Sequence, residues 1–328
     1  MIPMSRRTFI AALGSAAAWP LAARGQQPAI PVVGLLTVAT LPDWATNGVR
    51  TGLGEYGFAE GRNLMIISRS AGGQFNRLPA LASDLVNSQV AVILATGSPV
   101  PARAAKAATT KIPIVFAYGG DPVVDGLVDS LNQPGGNVTG ATFNGTALLA
   151  KRMELLRRLL PLVTDVALLV NPRGTLAERQ IADANAAAQE LGQRLHVINV
   201  STESEIDTAF TSMNQLKVGA FIVSTDPFFG FIGSARLISL ALRYKIPAIY
   251  NSREEPRAGG LIGYGPNKTD TWRQAAVYVG RILKGERPSD LPIMQPTNFE
   301  MAINLKTAKE LGITVPPMLL GLATEVIE

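Results

Sequence analysis

From Ile30 to Tyr264 the chain alternates continuous apolar runs with helical stretches, and the series starts twice. Uninterrupted apolar strands between helices are buried on both faces, which is the environment of a parallel sheet covered on each side. The first series reads strand Pro31–Thr37, a helix capped by Asp43 and running to about Tyr56, strand Leu64–Ser68, helix Asn76–Asn87, strand Val90–Ala95. It continues with a helix opened by Thr96-Gly97-Ser98-Pro99 and running to about Thr110, strand Ile112–Ala117, and a Gly-bounded strand Gly135–Phe143. The second series reads helix Lys151–Leu160, strand Asp165–Val170, helix Leu176–Leu191, strand Leu195–Val200 and helix Glu203–Leu216. Strand Ala220–Ser224, helix Ile232–Tyr244 and strands Ala248–Tyr250 and Gly260–Tyr264 complete it. Two β-α series predict an α/β fold of two doubly wound parallel-sheet lobes. The length of 328 residues suits two cores better than one.

The tail predicts how the lobes are joined. Helix Thr271–Leu283, the extended stretch Asn298–Ile303 and helix Leu305–Leu311 are too little for a third domain. They are expected to return to the first lobe and then to the second. That gives lobe one as 29–143 plus 265–299, lobe two as 144–264 plus 300–328, and a three-segment hinge.

Residues 1–25 read as an export signal. Arg6-Arg7 opens the segment, an Ala- and Leu-rich run follows to Ala23, and Ala23-Arg24-Gly25 offers small residues before a cut near Gly25. The arginine pair followed by Phe9 resembles a twin-arginine signal. A periplasmic location is expected. The segment carries three arginines and no acid, so its removal lowers the formal charge from +5 to +2. No basic stripe with interleaved aromatics argues for nucleic acid. The chain has no cysteine, which excludes disulfides, thiolate chemistry and a lipid anchor on an N-terminal Cys.

Open parallel sheets bind ligands beyond the carboxyl ends of their strands. The candidates there in lobe one are Thr37, Trp44, Thr96, Gly97, Ser98, Tyr118, Asp121 and Thr142. Lobe two offers Asn171, Asp226 and Asn251. Ser98 begins a helix, where free N–H groups and the positive dipole end suit a carboxylate; the plainer reading is an N-cap. Asp226 suits an ammonium group, or else caps a turn before Pro227. Trp44 and Tyr118 suit stacking, or simple packing. Asp121, before Pro122, suits a turn.

Several motifs lead nowhere. Gly52-Leu53-Gly54-Glu55-Tyr56-Gly57 fits GxGxxG but falls late in a helix, not directly after a strand, so no dinucleotide site is expected. His196 is the only histidine and lies mid-strand, where a packed or edge role is expected; a zinc site would need mostly carboxylates, and a serine–histidine pair could form only through it. Four Asn-x-Ser/Thr sequons, at Asn137, Asn144, Asn199 and Asn267, are expected to carry no glycan. Glu254-Glu255 reads as a solvated pair. No cofactor, metal or catalytic residue is expected.

A family resemblance then emerges. Asp121-Pro122-Val123, Pro134-Gly135-Gly136-Asn137-Val138-Thr139-Gly140 and Lys151-Arg152-Met153-Glu154-Leu155-Leu156 occur in order. Ala258-Gly259-Gly260-Leu261, Tyr264-Gly265-Pro266, Ile282-Leu283-Lys284-Gly285, Asp290-Leu291-Pro292, Gln295-Pro296-Thr297 and Ile303-Asn304-Leu305-Lys306-Thr307-Ala308 follow. Together they resemble the ABC transporter substrate-binding family that includes tryptophan- and tyrosine-binding members, over the whole mature chain. Thr324 departs from the family's usual Asp. The resemblance implies a type I periplasmic-binding fold, an aromatic amino acid or related compound as ligand, and no catalysis. It implies delivery to a membrane permease and its ATPase, with the receptor a monomer. It places Thr37, Ser98, Tyr118, Asp121, Thr142, Asp226 and Asn251 on the loops lining the cleft. A sensor signalling to a membrane kinase would use the same clamshell, and an enzyme on a doubly wound fold is the remote alternative.

Overall fold

The structure, a computed structural model, describes residues 30–143 and 148–328. The expected signal segment and the sequon at Asn144 lie outside the described residues. Pro31–Glu328 forms one compact unit holding two sheets.

The first sheet collects β1 (Val32–Thr37), β2 (Met65–Ser70), β3 (Val92–Thr96), β4 (Ile114–Tyr118) and β5 (Val138–Thr142) in the order β2-β1-β3-β4-β5. All its pairs are parallel. Every residue of β3, β4 and β5 is buried, which is why these strands read as unbroken apolar runs, whereas edge strand β2 is partly exposed. Helices α1 (Asp43–Glu55), α2 (Leu78–Asn87) and α3 (Pro99–Ala108) connect them. Asp43 is the first residue of α1 and not its cap; Pro42 holds the N-cap position.

The second sheet runs β12-β11-β10-β9-β8-β6-β7. Its members are β6 (Asp165–Val170), β7 (Arg194–Asn199), β8 (Ala220–Val223), β9 (Ala248–Tyr250), β10 (Ile262–Pro266), β11 (Phe299–Asn304) and β12 (Glu325–Ile327). Helices α4 (Leu149–Leu159), α5 (Ala177–Leu191), α6 (Glu203–Gln215), α7 (Ser234–Tyr244) and α8 (Glu254–Arg257) flank it. A π-helical turn, Phe228–Ile232, precedes α7, where the sequence predicted regular helix from Ile232. All pairs are parallel but β10–β11, which is antiparallel.

The tail visits both sheets. Helix α9 (Lys268–Leu283) packs on α1 and buries Trp272, Ala275, Ala276 and Val279 with Val33 and Leu53 of the first lobe. Gly48 and Gly52 make this possible, since a Cβ on Gly52 would lie 2.1 Å from the Arg273 carbonyl oxygen. The GxGxxG-like run is therefore a helix-packing feature. Met294 then extends the first sheet beside Ala141, and β11 joins the second. Helices α10 (Leu305–Glu310) and α11 (Pro317–Leu322) follow, and α11 and β12 are elements the sequence reading lacked.

Two polar side chains are placed differently from, or more definitely than, the sequence suggested. Glu255 is buried, not solvated: it accepts from Ser252 Oγ at 2.5 Å and lies 3.5 Å from Lys268 Nζ. His196 lies on edge strand β7 with Nε2 2.9 Å from Asp165 Oδ1, and this contact holds the Asp165 carboxyl below the usual carboxylate range.

Candidate functional site

The carboxyl ends of both sheets face one cavity. Its walls from lobe one include Trp44, Phe75, Ser98, Gly119 and Phe143. Lobe two contributes Thr175, Leu176, Thr225, Asp226 and Asn251, and Lys268 opens α9 at the same wall. Apolar walls with a few converging polar groups are what small-molecule sites have in common. The lobes touch across it: a Cβ on Gly119 would sit 3.0 Å from Thr225 Cγ2, and one on Gly73 would sit 3.6 Å from Ile232 Cδ1.

Six of the residues expected from the sequence line this cavity: Trp44, Gly97, Ser98, Tyr118, Asp226 and Asn251. Asn171 lines an adjoining space that shares Phe75 and Asp226 with the first. It donates from Nδ2 to Asp226 Oδ1 at 3.0 Å. Four expected residues reach neither space. Thr37 and Thr96 pair across β1 and β3 with buried hydroxyls, so strand pairing holds them beneath the floor. Asp121 closes a turn by accepting from the backbone N–H of Val123 and Val124. Thr142 donates to the Gly120 carbonyl at 2.5 Å.

Tyr118 is fully buried, and its hydroxyl donates to Asp125 Oδ2 at 2.7 Å. Burial, with Asp125 adding to it, raises the phenol well above its ordinary pKa. The ring is thus committed to the lobe-one core, packed edge-on to Phe116, and is not free to stack on a ligand. Ser98 caps α3 by accepting from Val100 N at 3.3 Å. Pro99 and Pro101 remove two of the N–H groups of that first turn, so the helix end offers fewer donors than its position suggests. Instead, no described residue accepts from the backbone N–H of Ser98 or Gly119.

The cavity carries one acid and one base. Asp226 is half-buried, and Oδ1 accepts from Asn171 Nδ2 and from Phe228 N at 2.9 Å. Desolvation outweighs both hydrogen bonds and raises its carboxyl above the ordinary aspartate value. Lys268 Nζ lies 5.9 Å from the Trp44 ring centroid, with Glu255 on its other side. Trp44 is also held edge-on against Trp272 at 6.2 Å.

Phe75 and Phe143, which the sequence reading omitted, also follow strand ends, so the same rule could have found them. Thr225 adjoins Asp226 in the same loop, where Gln180 pins its backbone through both amide atoms. Lys268 carried no sequence signal, because only the return of α9 to lobe one brings it to this wall.

A two-lobed α/β molecule with its cavity between the strand ends of its two sheets has the type I periplasmic-binding fold. A sequence profile described as "ABC transporter substrate binding protein" matches residues 33–327, and the chain belongs to that family. It is 28% identical over 272 residues to a tyrosine-binding protein of Clostridioides difficile (strain R20291), covering 83% of this chain and 77% of that protein. A crystal structure of an ABC domain in complex with L-Trp from Streptococcus pneumonia is 26% identical with a TM-score of 0.81, covering 90% of this chain and 99% of the other. A conserved domain protein from Vibrio cholerae matches at 26% identity and a TM-score of 0.82, with the same coverage. Family and fold are those of substrate-binding proteins, not of enzymes.

Proposed function

We propose that this protein is an exported, monomeric receptor that captures an aromatic amino acid and presents it to the permease and ATPase of an ABC importer. One observation carries the ligand class: a cavity walled by Trp44, Phe75, Phe143 and Leu176 that holds one carboxylate, Asp226, and one cation, Lys268. An amino acid with an aromatic side chain brings an ammonium to Asp226 and a ring to the apolar walls, while Lys268 keeps Glu255 as its partner. The tyrosine-binding relative and the L-Trp complex support the same class.

In this reading Asp226 Oδ2 takes the ligand ammonium, and Ser98 Oγ–H with the N–H groups of Ser98 and Gly119 takes the carboxylate. The moving bodies are 29–143 plus 265–299 and 144–264 plus 300–328. Ligand that touches both stabilises the closed arrangement by contacts the open one lacks.

Calorimetry of residues 26–328 against L-Trp, L-Tyr, L-Phe and L-Leu tests the class. An aromatic amino acid is expected to bind with Kd of about 1 μM or tighter, well ahead of L-Leu. Absence of aromatic binding overturns the reading. Ser98→Ala is expected to weaken binding about tenfold, the loss of one hydrogen bond to a charged group. Loss of the N-cap should also lower stability by about 1 kcal/mol. Unchanged affinity in that variant removes Ser98 from the carboxylate anchor.

A further inference from the structure

Arg152, on α4, is 1% exposed, and its guanidinium donates to oxygens on two strand-end loops and on a third strand, β10. Nε donates to the Tyr264 carbonyl on β10 at 2.8 Å, Nη1 to Thr225 Oγ1 after β8 at 3.3 Å, and Nη2 to the Asn251 carbonyl after β9 at 3.4 Å. Burial pushes its pKa down to about 10, against the attraction of Glu255. A buried cation is expensive, so a chain that keeps one at such a junction gains something else from it. Thr225 and Asn251 line the cavity, while β10 leads directly through Pro266 to α9 on the other lobe. A planar fork of five donors can hold three acceptors at fixed mutual angles, which a lysine ammonium cannot.

We infer that Arg152 is a positioning residue for ligand capture: it ties the two lobe-two loops of the cavity to the strand that crosses to lobe one. It touches no ligand itself. The inference rests on the cavity being the ligand site, as proposed above.

The test compares wild type with Arg152→Lys and Arg152→Met in residues 26–328. Amide hydrogen exchange is read first, without ligand. Faster exchange is expected at 225–228 and 251–253, with β6 and lobe one unchanged. Affinity for L-Trp, or for whichever aromatic amino acid wild type binds, is read next. A loss of about tenfold or more is expected for Arg152→Lys, carried by faster dissociation. Unchanged exchange at those loops overturns the inference. So does exchange that rises throughout the molecule, which marks a general packing role. Affinity within about twofold of wild type overturns it as well. If Arg152→Met does not fold, Arg152→Lys decides, because it keeps the charge and most of the volume. If wild type binds no aromatic amino acid, the ligand reading fails, and the ligand-free exchange still judges Arg152.

Discussion

Asp226→Asn is expected to weaken binding of an aromatic amino acid about 100-fold or more while raising the thermal midpoint of the ligand-free protein. The two effects have one cause. Burial raises the Asp226 pKa, so the folded state holds that proton more tightly than the unfolded chain does. A carboxyl shifted in this direction contributes stability at low pH and loses it as pH rises through the folded value. At neutral pH the ionised Asp226 is therefore a destabilising charge in the empty cavity. Asparagine removes that charge, and its Oδ1 can still accept from Asn171 and Phe228 as the aspartate does. Its Nδ2 would occupy the place of Oδ2 and present a donor to the ligand ammonium. Removing one partner of a desolvated charge pair costs about 3–5 kcal/mol, which sets the scale of the lost affinity. Wild-type binding should also weaken as pH falls through the raised Asp226 pKa, above the ordinary value of about 3.9, and the Asn variant should lose that dependence. Calorimetry across pH 4–8 and thermal unfolding read both halves. Tight binding by Asp226→Asn would remove Asp226 from the ammonium site.

Gly265→Ala should unfold about 3 kcal/mol more easily than wild type and bind ligand poorly. Strand β10 lies against the loop that follows β9. A Cβ on Gly265 would sit 2.0 Å from the Asn251 carbonyl oxygen and 3.4 Å from Arg152 Nη2. The obstacle is backbone and cannot rotate away. Either β10 shifts and its pairing with β9 suffers, or Asn251 moves and the cavity wall moves with it. Overpacking of a tight site costs about 1–3 kcal/mol and at times more. Gly54→Ala is the matching control, because a Cβ there meets nothing within 4 Å and the position is helical. It should be neutral or stabilising by up to about 1 kcal/mol. Urea unfolding of the two variants, with ligand calorimetry below their midpoints, reads the difference. A Gly265→Ala protein as stable as wild type would mean that β10 and the Asn251 loop do not approach this closely.

Much of the architecture was legible because its cause is local. The buried strands read as apolar runs since both faces of β3, β4 and β8 are covered, and the strand ends then located the loops around Ser98, Asp226 and Asn251. Legibility stopped where direction mattered. Thr37 and Thr96 end their strands as Ser98 follows its own, yet their pairing across β1 and β3 leaves both hydroxyls buried. Tyr118 looked available for stacking, but Asp125, seven residues on, returns to take its hydroxyl. Glu255 looked solvated until α9 brought Lys268 beside it. Helix α11 and edge strand β12 are short, and only Leu319 among their residues is buried, so their periodicity was too weak to read.

By itself, the order of residues determined that this protein has two largely parallel sheets, which strand-end loops are candidates for a ligand, and which family it resembles. These follow from burial patterns and short motifs, which are properties of neighbouring residues. The tertiary structure alone decided which strand-end side chains face the cavity, that Lys268 meets Trp44 there, and that Arg152 ties two strand-end loops to β10. It also decided that Gly265 must lack a side chain. Each of these depends on groups far apart in sequence, Arg152 and Tyr264 or Trp44 and Lys268, whose meeting is set by how the chain crosses between the lobes.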